Sequence, residues 1–156
     1  MKYISVFIIF LFYFIEMSAR ETGQTEITAD DGVEVFQDEK YYILKKNVKI
    51  ESDNFLLVGD LIKIYFEKDL YDIKIIDAKG NADLNSSLHD IKAIGDKIYF
   101  KVDEETILIN GLNSELITNN IKMFSDEKIE VNNLNGDFYI YGDKSSLETE
   151  NIIVKG

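Results

Sequence analysis

The sequence predicts an all-β domain of many short strands arranged in repeated units. Three observations carry this reading. Apolar residues alternate with polar ones at a period of two, clusters of turn-forming residues interrupt the alternation at short intervals, and the alternating segments recur about every 30 residues. After Arg20 no stretch keeps a helical period for three turns.

The first segment stands apart from this pattern. Lys2 precedes the thirteen residues Tyr3 to Ile15, in which Ser5 is the one clearly polar member, followed by Glu16 and the small residues of "MSAR". As a helix this run would span about 20 Å, short of the roughly 30 Å hydrocarbon core of a bilayer. It is therefore read as a secretory signal, residues 1–19 with Ala19 as the last residue removed, although Met17 is bulkier than a cleavage site prefers. Left uncleaved, the same segment would be an N-terminal anchor. In both cases residues 20–156 form one β domain facing an exported space.

The alternation then runs along the chain in order. It appears at Val33 and Val35, at Val48 and Ile50, at Ile62, Ile64 and Phe66, and at Ile73 and Ile75. It returns at Ile98, Phe100 and Val102, at Ile107 and Ile109, at Ile129 and Val131, and at Phe138 and Ile140. Each is a half-buried strand with one apolar and one wet face. The intervening "ESDN", "KGN", "NSS", "DEET" and "NNLNG" are rich in residues that adopt turn conformations at low cost. An acidic residue followed by apolar residues at +2 and +4 recurs at Asp31, Asp60, Asp96 and Glu127, with Asp143 continuing the series. A second anchor recurs at Asn47, Asn81 and Asn113. Two phases of one repeat imply a unit of about two strands. Such units can stack as a two-sheet jelly roll or as a β-solenoid, and the period allows either.

Composition limits the function. A net charge of −12 argues against nucleic acid as a partner, because phosphate binding needs clustered Lys and Arg. The chain has no cysteine, which removes disulfides, thiolate nucleophiles and Cys-ligated zinc. His89, the only histidine, has no His or Cys companion from which to build a metal site or a triad, and reads as a surface turn residue. The carboxylates lie on the wet phase of the strands and read as solvated surface rather than as a glycosidase pair. No cofactor or metal is expected, and nothing points to catalysis. The Gly-Asp pairs of "LLVGDLIKIYF" and "AIGDKIYF" lack the neighbouring oxygen ligands of a calcium loop and lead into strands rather than helices. They are expected to mark strand entrances.

The apolar stripe can be read in two ways: as filling between two sheets, or as the wall of a groove for an apolar ligand. The tyrosines Tyr65, Tyr99, Tyr139 and Tyr141 fall on the opposite phase and are expected on the outer face or rim.

Several short motifs resemble the OstA-like periplasmic family of lipopolysaccharide transport, its soluble LptA-like bridge first and its anchored LptC-like member second. They are "ITADDGVEVF", the Asn anchors in "KKNVKIES" and "KGNADLNS", and the two Gly-Asp strands, and the likeness runs from about Glu26 to Lys155. Lys46 and Leu112 stand where the family usually has Gly before the anchor Asn. The resemblance implies a β-jelly-roll of two antiparallel sheets. It also implies a non-enzymatic protein that shields lipid A acyl chains in an apolar groove and bridges inner and outer membranes. The groove residues it implies are Ile27, Val48, Ile50, Ile62, Ile64, Phe66, Ile75, Leu84, Ile98, Phe100, Val102, Ile107, Ile109, Phe138 and Ile140. The partners implied are lipopolysaccharide and other OstA-like domains in a head-to-tail assembly, through terminal edges at Ile27, Ile152 and Val154. The alternative is a structural exported β-repeat, a filament or adhesin subunit whose stripe is sealed core.

Overall fold

The computed structural model describes residues 22–156, so the segment read as a signal lies outside the described residues. Thirteen strands follow one another: β1 (Glu26–Thr28), β2 (Val33–Phe36), β3 (Tyr41–Ser52), β4 (Phe55–Phe66), β5 (Ile73–Ser86), β6 (Ile91–Lys101), β7 (Thr106–Asn110), β8 (Ser114–Ile117), β9 (Ile121–Ser125), β10 (Lys128–Asn132), β11 (Asp137–Tyr141), β12 (Ser146–Thr149) and β13 (Ile153–Lys155). They join in one 13-stranded antiparallel ladder that does not close on itself.

The four strands β3 to β6 are long, and each is broken near its middle. The register slips between Lys45 and Val48, between Val58 and Leu61, and between Lys79 and Ala82. On either side of the break a strand pairs with different partners. The first half of β3 pairs with β2 and its second half with β1, while β6 pairs with β8 before its break and with β7 after it. Further along, the crossing opens into a loop, so β7 and β8, β9 and β10, and β11 and β12 are separate strands. The ladder therefore folds along a crease into two layers. The first holds β2, residues 41–45, 61–66, 73–79 and 97–101, then β7, β10 and β11. The second holds β1, residues 48–52, 55–59, 82–86 and 91–95, then β8, β9, β12 and β13. This is the two-sheet jelly roll. A solenoid of parallel strands is excluded by the antiparallel pairing throughout.

The Gly-Asp pairs lie within this crease, which corrects their reading as strand entrances. Gly59-Asp60 and Gly95-Asp96 sit inside β4 and β6, where the chain leaves one layer for the other. Both glycines are buried, and a Cβ on Gly95 would press on the Ile109 side chain and the Asn110 carbonyl. The aspartates lean on the next strand's crossing: Asp60 on Gly80, Asp96 on Gly111, and Asp126 on Gly142. Each of these three glycines has a positive φ, and a Cβ there would collide with the facing carboxylate. At the start of the series Asn47 Nδ2 donates to Asp30 Oδ2 at 2.7 Å. Lys46, where the resemblance expects Gly, takes the left-handed conformation itself at φ 65°, and Asn47 follows at 47°. Gly111, beside Leu112, supplies the bend in the second departure, with φ 131°. Gly136-Asp137 differs, since it closes a turn and opens β11.

Within each layer, alternate residues point between the sheets. Leu44, Val48, Ile62, Ile98, Ile109 and Ile129, close to the crease, are almost completely buried. Ala78, Ala82 and Ala93, also fully buried there, present only small side chains. Burying each large aliphatic contributes about 1.5–3 kcal/mol, so the crease is the most stable part of the molecule.

Candidate functional site

Away from the crease the layers end in hairpin turns, and between these two lips lies an apolar groove. Residues 37–40, 67–72, 102–105 and 133–136 make the turns of the first layer, and 53–54, 87–90, 118–120 and 150–152 those of the second. Backbone hydrogen bonds bind neighbouring turns along each lip, as from Phe66 N to Lys40 O, from Asn133 N to Glu105 O, and from Ser87 N to Asn54 O.

Two cavities occupy the groove. The larger, about 670 Å³, lies toward β1 and β2 and is lined by Ile27, Val33, Val35, Tyr42, Ile64 and Ile76, among others. The smaller, about 420 Å³, is lined by Leu84, Ile91, Phe100, Ile107 and the turn residues Leu88 and His89. Ser52, Phe55 and Val102 line both, so the two are neighbouring parts of one trough. Most of the lining surface is apolar, while Ser52, Asn54, Ser86, His89, Glu105 and Asn133 bring polar groups to the smaller cavity. Burial raises the Tyr42 phenol pKa above its ordinary value.

The stripe divides by depth. Ile27, Ile50, Ile64, Leu84, Phe100, Val102 and Ile107 line the cavities. Val48, Ile62, Ile98 and Ile109 are sealed at the crease and line neither. Phe66 is buried beside Tyr42, at 6.2 Å between ring centroids, under the turn carrying Lys40. Phe138 and Ile140 lie in β11 at the end of the first layer, where Phe138 is exposed and Ile140 half-buried. Ile75 requires a correction: it pairs across the ladder with Tyr65 and Lys101, on the outer phase, and Ile76 takes the inward position opposite Ile64. The register slip at the end of β4 moves the phase by one residue, which the simple alternation of Ile73 and Ile75 does not reveal.

Other groove residues escape the period. Tyr42 and Ile76 are hidden in the doublets "YY" and "II", and Phe55 begins the unbroken run "FLLV". Leu70, Tyr71 and Leu88 sit in polar turns with no alternation around them. Their one signal is that large apolar side chains stand in otherwise hydrophilic turns. His89 is an exposed turn residue, as read from the sequence, and it also forms part of the mouth of the smaller cavity.

The tyrosines face outward. Tyr65, Tyr99, Tyr139 and Tyr141 share the outer phase of the first layer, interleaved with lysines. Lys63 Nζ lies 3.7 Å from the Tyr41 ring centroid and 4.7 Å from that of Tyr65, and Lys128 Nζ 4.0 Å from that of Tyr141. Asp77, the one buried carboxylate among the described residues, is flanked by Lys97 at 3.4 Å and Lys79 at 3.6 Å. These contacts finish the outer surface and lie apart from the groove.

Both ends of the ladder are open. β1 and β2 leave unpaired edges at one end, β11 and β13 at the other. Ile27, Val33, Val35, Ile153 and Val154 are exposed on or beside them. Ile152 falls in the turn before β13, where its amide bonds to Thr149 Oγ1, rather than in the strand.

Two antiparallel sheets folded about a crease, open at the opposite side over an apolar trough, define the OstA-like β-jelly-roll. LptH of Pseudomonas aeruginosa, described as the LptA-homologous periplasmic component of the conserved lipopolysaccharide transport device, matches this fold with a TM-score of 0.62. The match covers 76% of this chain and 82% of LptH at 14% sequence identity, a likeness of fold. No family model matches the sequence, and no curated protein does.

Proposed function

We propose that this chain is a non-enzymatic periplasmic carrier of lipopolysaccharide that shelters acyl chains in the groove and passes them along a head-to-tail assembly of like domains. The observation that carries this is the trough itself. A jelly roll sealed for stability alone would close its seam with side chains, whereas this one keeps an apolar space of several hundred cubic ångströms beneath its lips. Each methylene placed there contributes about 0.8 kcal/mol, enough for a few acyl chains to be held without any charged contact. The likeness to LptH supports the choice of cargo. The open edges support the assembly: β13 of one molecule can add to β1 of the next, and β11 to β2, extending the trough from domain to domain.

Titration of the protein with fluorescent lipopolysaccharide tests the first part. Saturable binding that is lost in Ile64→Asp and kept in His89→Ala is expected. A folded protein that binds no acyl probe overturns it, and fibres formed without lipid affinity would favour a structural subunit instead. Light scattering tests the second part, with Val154→Asp expected to reduce assembly while leaving the melting temperature unchanged.

A further inference from the structure

A row of hydroxyls interrupts the apolar wall of the trough. Ser86 falls in the turn-like cluster "NSS" of the sequence, yet it ends β5 on the inward phase of Ala82 and Leu84. It is only 7% exposed, it lines the smaller cavity, and its hydroxyl has no hydrogen-bond partner among the described residues. Phe55 pairs with Ser86 on one side and with Ser52 on the other, so the two serines stand about 10 Å apart on one inward row. Ser52 lines both cavities, and its hydroxyl is likewise unpartnered among the described residues. The other polar groups at the smaller cavity differ. Asn133 Nδ2 donates to Glu105 Oε2 at 2.7 Å, Asn54 Oδ1 accepts from Ser87 Oγ at 3.2 Å, and His89 is exposed.

Filling a cavity with hydrocarbon strands any hydroxyl on its wall that has no partner in the protein, and that loss opposes binding. It is avoided when the ligand brings an oxygen to the same level. We propose that Ser86 and Ser52 form a carbonyl subsite: their hydroxyls donate to the ester or amide carbonyl of a bound acyl lipid and fix where along the wall the chain gives way to its head group. This rests on the reading of the trough as an acyl-chain site, to which it adds a polar specificity. The placement suits the role. Leu84 lies two residues nearer the crease on the same phase, so hydrocarbon has an apolar wall below the serines, and the turn at 87–90 follows Ser86 directly, where a head group meets water. A chain joined through an ether offers these donors no carbonyl and a weaker acceptor in its place.

The experiment uses two uncharged probes of equal chain length, a monoacyl glycerol ester and the corresponding alkyl glycerol ether. Each is titrated below its critical micelle concentration into the protein and into the double variant Ser52→Ala, Ser86→Ala. The variant is expected to bind the ester about fivefold more weakly than the unsubstituted chain, the size of one neutral hydrogen bond, and to bind the ether unchanged. Its melting temperature is expected to be no lower, because no hydrogen bond within the protein is lost. An ester affinity that the substitutions leave unchanged overturns the subsite, while binding of both probes leaves the trough standing. Equal losses for ester and ether overturn the subsite too, assigning the serines to the shape of the wall. A chain that binds neither probe overturns the trough and the subsite together.

Discussion

Ile98 and Phe100 lie two residues apart on the same face of β6, one sealed at the crease and the other half-buried on the wall of the trough. Replacing each by alanine separates stability from binding. Ile98→Ala deletes three carbons from a site 1% exposed. At about 0.8 kcal/mol per carbon, with a further term for the cavity left between rigid layers, the loss is about 3–4 kcal/mol. For a chain of this size that lowers the melting temperature by roughly 10 °C. Phe100→Ala enlarges a space that water already reaches, so its cost is about half that of a fully buried ring, roughly 2 kcal/mol. It also removes the surface against which about two methylenes of a bound chain would lie, near 1.5 kcal/mol, or roughly tenfold in affinity. Scanning calorimetry gives the first quantity, and titration with an acyl probe well below either melting temperature gives the second. Equal losses of affinity in the two variants would refute the division into crease and trough, as would unchanged affinity in Phe100→Ala.

Three further outcomes follow from the crease and the lips. Lys46→Gly relieves a left-handed residue costing about 1–2 kcal/mol and returns part of the gain as unfolded-state entropy, so urea unfolding should show a net stabilisation of about 0.5–1 kcal/mol. Gly80 and Gly136 share a φ of +78°, but only Gly80 faces a carboxylate; Gly80→Ala should cost about 1 kcal/mol or more beyond Gly136→Ala in the same assay, the excess measuring the collision with Asp60. Tyr42 and Lys74 both have pKa values raised in the folded state, Tyr42 by burial and Lys74 mainly by hydrogen bonds to Glu67 and Asp103. The folded protein thus keeps protons that the unfolded chain releases above its values of 10.0 and 10.5, so stability present below those values falls as pH rises through and beyond them. Melting temperatures across the alkaline range should decline, less steeply in Lys74→Met; a flat profile would contradict both assignments.

Much of the fold was legible because period two at Ile62, Ile64 and Phe66, or at Ile107 and Ile109, assigns a face without knowledge of the partner strand. The recurrence near 30 residues corresponds to two crossings of the crease, which is why an acid and an Asn or Gly recur in two phases: Asp60 with Gly80, Asp96 with Gly111. Alternation does not register where a strand bends. Gly59 and Gly95 look like entrances because the apolar pattern restarts after each break, although the hydrogen-bonded ladder continues on both sides. Ile75 was misplaced for the same reason, since a slip of one residue exchanges the faces of everything beyond it. Depth within the groove was also hidden. Ile98 and Phe100 have the same pattern in sequence, and only the distance from crease to lip separates a core residue from a wall residue. Leu70, Tyr71 and Leu88 join the wall because turns far apart in the chain line the same trough, a long-range consequence of topology.

The crease is a hinge made of many small joints. Eight crossings, from residues 29–32 to 142–145, each turn the chain from one layer to the other; the strand pairing lies within the layers, and bonds such as Asp30 N to Lys46 O and Gly111 N to Glu127 O tie neighbouring crossings together. Any spreading of the lips would be shared among these crossings and would leave the strand pairing within each layer in place. The width of the trough would then follow the bulk of whatever it held, as a book opens on its spine without losing a page. For the carrier proposed above, such a spine would let one groove take cargo of differing chain number and length.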